Sequence, residues 1–91
     1  MCGIAGQLHL AGGAADPDLV RRMSDLIRHR GPDGDGIYVD GTVALAHRRL
    51  AIIDLSKEGH QPMQNEDGTL RLVFNGEIYN YRELIEELAS C

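Results

Sequence analysis

The sequence predicts one α+β domain built on antiparallel strands, on three observations. The chain has 91 residues, enough for a single domain. Its periodic segments run strand, helix, about three strands, helix. The strands are joined by local turns and not by regularly alternating crossover helices, which favours antiparallel pairing over a doubly wound parallel sheet.

In CGIAGQLHL, Ile4, Leu8 and Leu10 share one parity, so the chain begins with a strand starting at Cys2. AGGAA turns into Asp16-Pro17, an N-cap followed by proline at the first helical position. Leu19, Val20, Met23, Leu26 and Ile27 then fall on one helical face, and the helix is expected to reach about His29. GPDGDG, with its run of glycines and a proline, is expected to interrupt both helix and ladder. GIYVD and TVALAHRRLAII follow as strands, with Asp40-Gly41 favouring a tight hairpin between them. DLSKEGHQPMQNEDG is polar and turn-rich, hence a surface loop, and TLRLVFN restores alternation with Leu70, Leu72 and Phe74 on one face. After NGE the chain turns into a second helix. Asn80 is placed as its N-cap with Glu83 three positions on, Tyr79 and Leu84 as a hydrophobic staple, and Leu84, Ile85 and Leu88 as its buried stripe.

Hydrophobic residues make up 43% and charged residues 25% of the chain, the balance of a soluble globular domain. A net charge of -5 argues against nucleic acid or an anionic membrane surface as the main partner. No apolar run approaches the roughly 18 to 20 residues of a membrane helix, and the N-terminus lacks the regions of a signal peptide, so a cytoplasmic setting is expected. Cys2 and Cys91 lie at opposite ends without CxxC spacing, which indicates neither zinc nor a disulfide framework.

Three places could carry chemistry. Cys2 reads either as a small buried hydrophobe or as a nucleophile. If Met1 is trimmed, thiol and free α-amine sit on one residue with reference pKa values of about 8.5 and 8, and the amine can take the thiol proton. In FNGEIYN, Asn75-Gly76 reads either as a turn or as an oxyanion hole made of the asparagine amide and the glycine N–H. In AHRRLAI the adjacent arginines must point to opposite faces of a strand. Arg49 is placed at the strand end facing a pocket, where it needs a carboxylate from the protein or from a ligand, and Arg48 is placed in solvent. The aspartates of GPDGDG do not make an EF-hand, since Ile37 stands where an oxygen ligand is required. No phosphate-binding glycine motif is present, and His9, His29, His47 and His60 lack metal-ligand spacing and read as structural.

Together MCGIAG, RHRGPDGDGIY, AHRRLAIIDLS, GHQPM and FNGEIYNYREL resemble, in order and spacing, the glutaminase domain of glutamine-hydrolysing asparagine synthetases, which are class II glutamine amidotransferases. The resemblance covers the whole chain. It implies the N-terminal-nucleophile hydrolase sandwich, two antiparallel sheets between helical layers, with residues 1–91 forming about the first half of that domain. It also implies that Cys2 attacks the side-chain amide of L-glutamine, releasing ammonia and leaving a thioester. Asn75 and Gly76 match the oxyanion pair, Arg49 the residue that holds the glutamine α-carboxylate, Leu50, Ile52 and Ile53 the pocket wall, and Glu77 a further substrate contact. No cofactor is implied within this segment. ATP and magnesium belong to a C-terminal synthetase domain, expected to lie beyond residue 91 and to convert aspartate to asparagine.

Two other readings remain open at the level of sequence. One is a non-catalytic assembly module that covers its open strand edges as a homo-oligomer. The other is a related amidotransferase that delivers ammonia to a different acceptor.

Overall fold

The structure, a computed structural model, describes residues 2–51 and 59–91. Strand β1 (Gly3–Leu8), helix α1 (Pro17–Leu26), strand β2 (Gly34–Asp40) and strand β3 (Val43–Arg49) form the larger part. Strands β4 (Met63–Gln64) and β5 (Arg71–Leu72) form a ribbon, and helix α2 (Tyr81–Ala89) follows. The three-stranded sheet has the order β1-β3-β2 and is antiparallel throughout, so β3 is paired on both sides. The α+β expectation holds on these elements. No helix among the described residues is long and apolar enough to cross a membrane.

Helix α1 starts as the sequence dictates. The Asp16 carboxylate accepts from the backbone N–H groups of Asp18 (3.0 Å) and Leu19 (3.3 Å), and Pro17 occupies the first turn. The α-helix stops at Leu26, and Arg28–Arg30 continue as a 3-10 turn. Val20 and Ser24 are its fully buried residues, and Val20 packs with Ala15, Ala44 and Ala46 in a small core between helix and sheet. Leu26, expected on the buried face, is exposed.

The β2–β3 hairpin closes through Gly41 at φ +56°, a left-handed value that glycine takes without strain. Its tip also anchors the segment after β1, because the Thr42 carbonyl accepts from His9 N–H at 2.9 Å and the Gly41 carbonyl from Ala15 N–H at 2.8 Å.

Four local expectations need correction. Gly34, Asp35 and Gly36 are not a break but the first three residues of β2, paired with Arg49, Arg48 and His47. Glycine is retained at 36 because a Cβ there would sit 1.9 Å from the Gln61 carbonyl oxygen; another stretch of backbone lies directly against the sheet. The polar loop contributes β4, and the alternating segment contributes only Arg71–Leu72 to a ladder, leaving Leu70 and Leu72 exposed. Asn80 makes no side-chain cap, Tyr79 is 91% exposed so no staple forms, and α2 buries none of its residues. Of its apolar stripe, Leu84 is partly covered while Ile85 and Leu88 are exposed. Arg48 is not solvated: its side chain is 11% exposed and lies beneath α1, for reasons given next.

Candidate active site

Strand β3 sorts its side chains by parity. Ala44, Ala46 and Arg48 face α1. Arg48 Nε donates to Ser24 Oγ at 2.8 Å and to the Ser24 carbonyl at 3.1 Å, while its terminal nitrogen reaches the Asp25 carboxylate at 2.6 Å. A sheet with a helix on one face and a cleft on the other offers neither arginine an open side, which is why the expected division into one buried and one solvated residue fails.

The opposite face carries His47 and Arg49 and forms the floor of a cleft of about 520 Å³. Its walls include Cys2 just before β1, Leu50 and Ala51 just after β3, Gln61 before β4 and Met63 in it, Phe74, Asn75, Gly76 and Glu77 between β5 and α2, and Tyr81 at the start of α2. Cys2, Arg49, Leu50, Asn75, Gly76 and Glu77, expected together, are thus brought together from both ends of the chain. Ile52, Ile53 and Met1 lie outside the described residues.

Cys2 is half-buried and Cys91, just beyond α2, is exposed; both are free thiols. The Leu50 N–H donates to Cys2 Sγ at 3.3 Å, and the thiol donates to the Leu50 carbonyl at 3.8 Å, so β3 fixes the sulfur at its C-terminal end. Arg30 Nε donates to the Cys2 carbonyl at 3.1 Å from the other side. The GPD segment pins the same corner. Asp33 N–H donates to the Arg49 carbonyl at 2.9 Å, and its carboxylate accepts from Ala51 N–H at 2.9 Å.

His47, whose spacing indicates a structural histidine, lines the cleft. It is 1% exposed, and its Nε2 lies 3.2 Å from the Phe74 carbonyl oxygen. A carbonyl can only accept, so Nε2 carries a proton, a tautomer assigned from this partner. Burial lowers its pKa below the ordinary histidine value; the bond to Phe74 opposes this, and the nearby His60 and Arg49 charges lower it further. Sequence parity could have found it, since His47 stands two residues from Arg49 on one face of a strand. Gln61, whose Oε1 accepts from Phe74 N–H at 2.6 Å, carried no such signal. Among the described residues no group of three or more His, Cys, Asp or Glu side chains is placed to hold a metal ion.

A cysteine thiol, an arginine and an Asn-Gly pair thus converge on one cleft. Residues 1–91 match the family described as a glutamine amidotransferase domain, and the chain belongs to that family. It is 48% identical over 93 residues to asparagine synthetase [glutamine-hydrolyzing] 1 of Bacillus subtilis, covering 99% of this chain and 15% of that protein. Over 95 residues it is 45% identical to asparagine synthetase [glutamine-hydrolyzing] 1 of Arabidopsis thaliana, with the same coverage of 99% and 15%. A putative asparagine synthetase [glutamine-hydrolyzing] 2 of Methanocaldococcus jannaschii is 40% identical over 105 residues, covering 96% of this chain and 20% of that protein. The chain spans between 15% and 20% of the length of these curated relatives.

Proposed function

We propose that this chain carries the nucleophile-bearing part of a glutaminase site on an N-terminal-nucleophile hydrolase sandwich. The observation that carries the reading is the convergence of Cys2, Arg49 and Asn75-Gly76 on one cleft. After removal of Met1, the Cys2 α-amine takes the thiol proton and Sγ attacks the side-chain amide carbon of L-glutamine. The Asn75 amide and the Gly76 N–H donate to the oxygen that becomes negative, which is where fixed donors lower the barrier most. The tetrahedral species collapses as the leaving nitrogen takes the proton from the Cys2 α-ammonium and departs as ammonia, leaving a γ-glutamyl thioester and a neutral α-amine. Water then hydrolyses the thioester to glutamate and restores the thiol. Arg49 holds the substrate α-carboxylate, Leu50 forms part of the wall beside it, and Glu77 makes a further contact.

In a longer cytoplasmic protein of this kind, a synthetase domain using ATP and magnesium would take the ammonia to convert aspartate to asparagine. The names and sequences of the relatives support that acceptor; a different acceptor would leave the chemistry at Cys2 unchanged.

The test is an intact mass of the chain before and after incubation with an electrophilic glutamine analogue, with peptide mapping. The expected result is loss of Met1 and one adduct on Cys2, none on Cys91. The exposed Leu72, Ile85 and Leu88 favour a second reading as an assembly module, which would show concentration-dependent stability and no adduct. Arg49→Lys is expected to raise KM for glutamine by about tenfold or more while kcat changes little, because one ammonium cannot reproduce a bidentate fork. An unchanged KM would remove Arg49 from the carboxylate-binding role.

A further inference from the structure

The chain departs from β5 at Leu72, so ladder hydrogen bonding ends before Phe74 and Asn75. Side chains take over where the ladder stops. The Phe74 N–H donates to Gln61 Oε1 at 2.6 Å, and the Phe74 carbonyl accepts from His47 Nε2 at 3.2 Å. These two bonds fix the peptide planes on either side of the Phe74 Cα, and the second plane contains the Asn75 N–H. The direction in which Asn75 and Gly76 leave Phe74 is therefore set by one side chain from the central strand and one from the segment before β4. The Phe74 ring adds a third link, since a Cβ on Gly76 would lie 2.8 Å from its Cζ.

We propose that His47 and Gln61 are positioning residues that aim the Asn75-Gly76 donors at the reacting oxygen by clamping the Phe74 main chain from both sides. The inference rests on the glutaminase reading and extends it to two residues that need not touch substrate. His47 suits the task because it is immobile: it stands on the doubly paired strand and is sealed from solvent. Gln61 is itself held in place by the sheet, with its carbonyl oxygen against Gly36, the residue paired with His47. Both halves of the clamp are thus referenced to β3, which also carries Arg49 and, through Leu50, fixes the Cys2 sulfur. Nucleophile, carboxylate binder and oxyanion donors are thereby all tied to β3 as a common frame. Such a frame matters because a displacement of about 1 Å in a reacting geometry costs on the order of a hundredfold in rate.

The test compares kcat and KM for glutamine hydrolysis, followed as glutamate release, in the wild-type chain and four variants. His47→Leu and Gln61→Met remove the donor and the acceptor while keeping bulk; His47→Gln and Gln61→Glu restore an N–H or an oxygen at about the same reach. Both removals are expected to lower kcat by about tenfold to a hundredfold with KM changed less than about twofold, and both restoring variants to recover most of the loss. Unchanged kcat, a loss confined to KM, or no recovery in the restoring variants would overturn the clamp. If His47→Leu fails to fold, the Gln61 pair decides the matter alone, because Gln61 sits outside the small core formed around Val20. A wild-type chain that releases no glutamate dependent on Cys2 would overturn the glutaminase reading, and the clamp with it. Active wild type with unaffected variants would overturn the clamp only.

Discussion

Replacing Cys2 with alanine is expected to abolish glutamine hydrolysis, lowering kcat by several orders of magnitude, while leaving the fold intact. Loss of an attacking nucleophile is not compensated by the remaining donors, because an oxyanion hole can stabilise only an oxyanion that something has created. The cost to stability should be about 1 kcal/mol or less, as the sulfur is half-buried and its partner among the described residues is the Leu50 backbone, at 3.3 and 3.8 Å. In a longer protein, synthesis from free ammonia should survive the substitution. Cys91→Ala provides the control: that thiol is exposed and donates to the Glu87 carbonyl at 3.5 Å, remote from the cleft lining. A Cys2→Ala chain that still releases glutamate would end the nucleophile assignment, and thermal unfolding of the same sample separates inactivity from misfolding.

The second large effect is expected at Gly31, on stability. A Cβ there would lie 2.4 Å from the Arg48 carbonyl carbon and 2.5 Å from both the Arg48 oxygen and the Arg49 nitrogen. All three atoms are backbone of the central strand, so no side chain can swing aside. Gly31→Ala must push the Gly31–Asp33 segment off β3, and with it the Asp33 bonds to Arg49 and Ala51 that hold the corner beneath Cys2. Overpacking of this kind costs about 1 to 3 kcal/mol. For a domain of this size each 1 kcal/mol lowers Tm by about 4 to 8 °C. Calorimetry should register the loss, and KM for glutamine should rise as Arg49 moves. An unchanged Tm would mean that the segment and the strand separate without cost.

What was legible in the sequence was what neighbours in the chain decide. Asp16-Pro17 announces a helix start because cap and first turn lie within four residues, and the structure places both as expected. Gly41 announces a turn for the same reason. The misreadings share a different cause. Gly34 and Gly36 look like a break until Gln61, from a remote segment, is seen lying against Gly36. Arg48 looks solvated until α1 is laid over it and Ser24 and Asp25 meet its guanidinium. Leu84, Ile85 and Leu88 make a sound amphipathic stripe by spacing alone, but spacing does not say whether a packing partner exists. At the cleft, Cys2, Arg49 and Asn75-Gly76 each have an ordinary reading when taken alone, and it is the family resemblance that groups them, whereas His47 and Gln61 bond to main-chain atoms that any residue but proline at position 74 would present.

The arrangement of strands divides the cleft between two unequal partners. Cys2, His47 and Arg49 hang on a sheet whose middle strand is paired along both edges, while Asn75, Gly76 and Glu77 follow a ribbon of two-residue strands and lead into a helix that buries none of its residues. Local opening on the ribbon side therefore costs far less than opening on the sheet side. A glutamine gripped at one end by Arg49 and at the other by the Asn75-Gly76 donors would act as a brace between them. Part of its interaction energy would go into cohesion of the domain instead of affinity, so in this fold a bound glutamine would also be a structural member.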